Sequence, residues 1–146
     1  MPAADSAKGK PCVAVADPLP AGAPQVPLTV GPPPTTLVSK DITVGTGAAV
    51  EASSTITVDY IGVSCSTGKI FDTSYGQTPA TVPLNGVIPG WQQGLLDMKA
   101  GGVRLLGIPS ELAYGAQGYP PDIAPDEALW FVVSVKDVTA ATTPST

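Results

Sequence analysis

The chain contains no histidine, which removes the commonest general base, proton shuttle and metal ligand together. Any chemistry must run without imidazole. Cysteine is nearly absent as well. Cys12 and Cys65 are the only two, and their wide separation offers neither a zinc-ligand spacing nor a CxxC redox pair. No metal and no cofactor are expected. Charged residues make up 13% of the chain, the formal net charge is -5 and no basic run occurs, so neither nucleic acid nor an anionic membrane surface is an expected partner. No apolar run approaches the ~20 residues that a membrane span needs, and membrane insertion is not expected. Met1 leads directly into PAADSAKGK, which reads as the start of a mature or trimmed chain rather than a signal peptide. The length fits one domain with a tail, and nothing in it demands more than a monomer.

Proline, by contrast, is abundant and unevenly placed. Nine of the seventeen prolines fall in residues 1–36. Because proline fixes φ and removes a backbone donor, this stretch is excluded from helix and from central strand, and reads as an extended arm. It is either a spacer from an anchor or a tail packed on the domain. Two readings of the cysteines also stand: unrelated free thiols, or a tether between them. The tether is favoured because Cys12 lies in an extended segment with little else to hold it, and Cys65 adjoins a turn-like STG. Such a bridge would close a loop of about 50 residues and contribute about 4 kcal/mol in the chain-entropy model. It would imply an oxidising compartment, extracellular or cell-envelope; free thiols would fit the cytoplasm. Residues 140–146, AATTPST, are expected to fray.

From residue 37 to 139 the pattern is that of a folded domain. In TITVDY, Ile56, Val58 and Tyr60 share one face and Thr55, Thr57 and Asp59 the other, as in a half-buried strand. In LWFVVSV, Leu129, Phe131, Val133 and Val135 oppose Trp130, Val132 and Ser134. VRLLGIP and KIFD read as further strands. Helical spacing is convincing only where Trp91, Leu95 and Met98 recur at i, i+4 and i+7, with Gly94 permitting close approach and Gly101–Gly102 placed to end the helix. One short helix on several antiparallel strands is an α+β arrangement.

The few aromatic residues are placed to converge. Tyr60, Phe71, Trp91, Tyr114 and Phe131 fall where strands and loops meet the helix, and taken singly each is an ordinary core residue. ELAYGAQGYPPDIAPDEAL is a long loop carrying Tyr114, Tyr119 and Ile123, and loops of that length in small domains usually serve function. With Asp72 following Phe71, the set points to an apolar pocket with few polar groups.

Three blocks then make a specific match. VDYIGVSCSTGKIFDTS, PLNGVIPGWQQGLLDMKAGGVRLLGIP and AYGAQGYPPDIAPDEALWFVVSV, in that order, resemble the FKBP family of peptidyl-prolyl cis-trans isomerases, over about residues 37 to 138. The resemblance implies an antiparallel sheet of five to six strands wrapped around one short helix. It implies isomerisation of X-Pro bonds in proline-containing polypeptides, assistance to protein folding, and binding of macrolides such as tacrolimus or rapamycin. Its prolyl pocket maps onto Tyr60, Phe71, Asp72, Val87, Ile88, Trp91, Tyr114, Ile123 and Phe131, with Trp91 as the floor.

In the mechanism this implies, the apolar residues hold the proline ring, while the Tyr114 hydroxyl and the Ile88 N–H bond substrate carbonyls. Asp72 sets the polarity beside the rotating bond, although an aspartate after a strand is also an ordinary turn-former. Tyr119 and Asp122 stand at variable positions and are expected to tune the residue preferred before proline. Ala80 replaces a frequent aromatic and thins one wall, which should weaken bulky ligands. It also keeps a second reading open: a proline-segment-binding or chaperone-like module with little turnover. The shortened segment YGQTPA is expected to leave Asp72 without a basic partner.

Overall fold

The computed structural model describes residues 10–119 and 123–139; Asp122 and residues 140–146 lie outside them. Six antiparallel strands form one sheet: β1 (Val38–Thr43), β2 (Thr55–Ser64), β3 (Ile70–Thr73), β4 (Ala80–Pro83), β5 (Val103–Ile108) and β6 (Leu129–Thr139). The order is β1-β5-β6-β2-β3, with β4 also on β2. Residues 55–58 of β2 pair with β4, and residues 61–63 of the same strand pair with β3. The long strand thus carries β6 along one edge and two short strands in succession along the other. Among the described residues a single α-helix, α1 (Pro89–Gly94), crosses one face of the sheet. No helix of the described residues is long and apolar enough to cross a membrane.

Alternation decides what each face buries. Ile56 and Val58 of β2, Leu106 and Ile108 of β5, and Leu129, Phe131, Val133 and Val135 of β6 meet Trp91, Leu95 and Met98 in the main core. Close approach of helix and sheet needs glycine. A Cβ on Gly94 would lie 2.7 Å from Leu106 Cδ2, and one on Gly90 would collide with the Ile108 side chain.

The helix is shorter than its spacing predicts. Pro89 at its first turn suits the missing N–H, but regular helix ends at Gly94 and Asp97 adopts φ 65°, a conformation that breaks any right-handed run. Leu95 and Met98 still reach the core, from the turn beyond the helix. Arg104 secures that end by donating to the carbonyls of Gly94 (2.8 Å) and Leu96 (3.1 Å).

The opposite face is not left to solvent. Ile61, Val63, Leu105, Trp130 and Val132 form a second buried cluster with Cys12, Val26 and Cys65, against which Val15, Leu19, Ala23 and Leu28 of the arm pack. From residue 10 on, the proline-rich segment is therefore a packed covering. Some of its N–H groups find partners on the sheet: Val13 donates to Cys65 O (2.9 Å) and Ala16 to Gly68 O (2.8 Å). The Asp17 carboxylate accepts from the Ile70 N–H at 2.9 Å. Cys12 and Cys65 are joined by a disulfide across a sequence separation of 53. Trp130 lies beside it, its indole N–H 3.2 Å from the Cys12 sulfur.

Candidate active site

On the helix side of the sheet lies a cleft of about 530 Å³. Its lining comes from several elements: Tyr60 of β2, Phe71 and Asp72 of β3, Ala80 and Val82 of β4, Gly86, Val87, Ile88 and Trp91 around the start of α1, Tyr114, and Phe131 of β6. Trp91 enters from the first turn of α1 and is only 6% exposed. Tyr60 and Phe131 meet it edge to face, with ring centroids at 5.5 and 5.3 Å. Phe71 in turn stands edge to face on Phe131 at 5.5 Å. Such contacts contribute about 0.5–1.5 kcal/mol each beyond burial and fix the rings around one hollow.

Gly62 makes room for two of these rings. It lies opposite Phe131 in the β2–β6 pairing, and a Cβ there would stand 2.6 Å from Phe71 Cζ and 2.7 Å from Phe131 Cε1. The 87–88 corner is held separately. The Gln92 side chain donates to Val87 O at 2.7 Å, and Ile88 O accepts from the N–H groups of Trp91 and Gln92. The Ile88 N–H meets no acceptor among the described residues, so it is available to a carbonyl brought into the cleft.

Polar groups gather at one side of the mouth. The Tyr60 hydroxyl donates to Asp72 Oδ2 at 2.9 Å, and the Thr73 N–H donates to Asp72 Oδ1 at 2.9 Å. Burial, then the hydrogen bond to Asp72, pushes the Tyr60 phenol up to about 12. Burial, then the charge of Asp72, raises Tyr114 as well. Both phenols therefore stay protonated at neutral pH and can donate. Asp72 itself forms no ion pair among the described residues. An apolar hollow with donors and one carboxylate at its rim has no nucleophile paired to a base. It is built to hold a ring and orient carbonyls rather than to break a covalent bond.

Eight of the residues expected at the pocket line this cleft: Tyr60, Phe71, Asp72, Val87, Ile88, Trp91, Tyr114 and Phe131. Ile123 does not; it is 3% exposed within the main core. Its backbone pairs with Tyr119. Tyr119 is 58% exposed and stacks on Tyr114 with ring centroids at 5.5 Å, so it stands beside the cleft rather than in its lining. Val82 and Gly86, which the family resemblance does not single out, also line the cleft. Alternation with Ala80 along ATVP places Val82 on the same face, and Gly86 directly precedes VIPGW.

The chain matches the family model described as FKBP-type peptidyl-prolyl cis-trans isomerase over residues 47–136. It is 50% identical over 97 residues to the probable FK506-binding protein of Corynebacterium glutamicum, covering 65% of this chain and 81% of that one. It is 46% identical over 113 residues to an FK506-binding protein of Streptomyces anulatus, covering 75% of this chain and 91% of that one. The crystal structure of FkpA from Escherichia coli is similar with a TM-score of 0.67 and 45% identity, over 72% of this chain and 49% of that longer one. Fold, cleft and sequence agree: the chain belongs to the FKBP-type peptidyl-prolyl cis-trans isomerases.

Proposed function

We propose that rotation of X-Pro bonds takes place in the cleft floored by Trp91, and that the chain serves the folding of proline-containing polypeptides. The observation that carries this reading is the unbroken chain of edge-to-face aromatic contacts from Phe71 through Phe131 and Trp91 to Tyr60. It makes one hollow suited to a pyrrolidine, with the Ile88 N–H and the Tyr114 hydroxyl at its edge.

Rotation about a peptide bond crosses roughly 18–20 kcal/mol because resonance gives the C–N bond double-bond character. A planar amide is strongly dipolar, and apolar walls solvate that dipole poorly. The twisted amide has lost conjugation and loses less on entering the cleft. Each 1.36 kcal/mol of such differential stabilisation is tenfold in rate. Trp91, Tyr60, Phe71, Val87 and Phe131 hold the ring. Tyr114 and the Ile88 N–H fix the flanking carbonyls, and Asp72, anchored by Tyr60, sets the field beside the rotating carbonyl. Tyr119 acts through its stack on Tyr114, and Ile123 through the loop it anchors.

Isomerisation of a short X-Pro peptide by Tyr114→Phe and Asp72→Ala tests these roles. Losses of roughly three- to thirtyfold in kcat/KM, equivalent to about 0.7–2 kcal/mol, are expected. Unchanged rates would remove both residues from the scheme.

The same cleft is proposed to take tacrolimus- or rapamycin-type macrolides, a reading supported by the names of the two FK506-binding relatives. With Ala80 rather than an aromatic on one wall, affinity for them should be reduced. We further propose a monomer working in an extracellular or cell-envelope compartment. The disulfide supports that location, because such bonds persist where the environment is oxidising.

A further inference from the structure

The residues that line the cleft include one carboxylate, Asp72, and no lysine or arginine. Lys40, Lys69, Lys99, Arg104 and Lys136 stand elsewhere in the domain, and Lys8 and Lys10 belong to the arm. Two of these cations are taken locally, Arg104 by Asp41 at 2.7 Å and Lys136 by Asp59 at 3.3 Å. Lys10 lines a different hollow, beside Glu111 and Glu127. Glu127 is turned inward, where its carboxylate accepts from the Ser66 N–H and hydroxyl.

Asp72 is the carboxylate that faces the cleft itself. It is exposed, and no cation meets it among the described residues. Each of its oxygens accepts one hydrogen bond, which leaves further lone pairs for an incoming donor. Its charge also contributes to raising both Tyr60 and Tyr114, so its field reaches both phenols of the cleft. An uncompensated charge at the rim of a low-dielectric hollow concentrates partners of opposite sign and disfavours those of like sign.

We infer that this isomerase selects X-Pro bonds flanked by lysine or arginine over those flanked by aspartate or glutamate, with the unpaired Asp72 carboxylate as the main determinant. The inference rests on the cleft being the catalytic site and adds the substrate class to that reading. Asp72 is exposed, so the preference is moderate and sensitive to salt.

The test uses peptides that differ only beside the proline, with lysine, glutamine or glutamate there, in an isomerisation assay without protease. At about 20 mM salt the lysine peptide should exceed the glutamate peptide in kcat/KM by about fivefold, and the ratio should approach one at about 0.5 M salt, where screening acts within about 4 Å. Asp72→Asn should cut the low-salt ratio by more than half, whereas Glu51→Gln, away from the cleft, should leave it. Equal rates for the three peptides, a preference for glutamate, or a ratio indifferent to salt would overturn the inference while leaving the catalytic assignment intact. If even the glutamine peptide turns over only at its spontaneous rate, the assignment of the cleft fails and the inference falls with it.

Discussion

Trp91 has two roles that pull against each other. It fills the main core at 6% exposure, yet its indole N–H is buried with no acceptor among the described residues. Leaving such a donor unpaired costs about 1–3 kcal/mol, which the edge-to-face contacts with Tyr60 and Phe131 help to offset. Beside it, Tyr60 and Asp72 fix the pH behaviour. The Tyr60 phenol ionises near 12 rather than at its ordinary 10, because burial and Asp72 both favour the protonated form. The sign follows from linkage: this group's contribution to stability is complete below pH 10 and is lost as pH rises from 10 through 12. Chemical denaturation midpoints should therefore hold level from pH 6 to 9 and fall above 10, with a smaller fall in Tyr60→Phe. Over pH 6 to 9 the rate of isomerisation should be flat, since both phenols of the scheme are held protonated and the chain has no histidine. A bell-shaped rate in that range would mean a general acid or base that this account lacks.

Among the elements, β2 matters most, because its residues alternate between the cleft side and the face that the arm covers. Gly62 is the position where this arrangement is tightest. Gly62→Ala should push Phe71 and Phe131 into the cleft, cost about 1–3 kcal/mol by overpacking and lower kcat/KM about tenfold. Wild-type kinetics would mean that the two rings do not set the cleft's shape. The sheet was legible because strict alternation in TITVDY and LWFVVSV leaves one register that buries the apolar face. The helix was less so. Spacing located Trp91, Leu95 and Met98 correctly as core, but a turn with Asp97 at φ 65° satisfies the same i, i+4, i+7 pattern. Ile123 shows the limit for the site. A loop residue beside pocket residues in sequence can point either way, and Ile123 points into the main core.

For the whole molecule, the feature least legible in sequence was the second core. Proline content excluded helix and central strand from the arm, but left both a spacer and a packed covering open. Scattered Val15, Leu19, Val26 and Leu28 carry no period that could announce a partner, and their partner is the far face of the sheet. The disulfide ties this covering down. In the intact protein, alkylation before reduction should label no thiol, and after reduction two. Two labelled thiols before reduction would contradict both the bridge and the proposed compartment. Cys12→Ser with Cys65→Ser should lower stability by about 2–4 kcal/mol while isomerisation persists, because the bridge lies in the second core rather than the main core behind the cleft.

The most direct test of the whole account is to spoil the hollow at a residue on the edge of the core rather than within it. Val87 lines the cleft and is only partly buried, so Val87→Asp places a charge among the ring-holding side chains at modest cost to folding. Its rate on a neutral X-Pro peptide, measured beside the wild type with thermal midpoints as the check on folding, is predicted to fall to near the spontaneous value. A folded Val87→Asp protein that isomerises the peptide as fast as the wild type would contradict it.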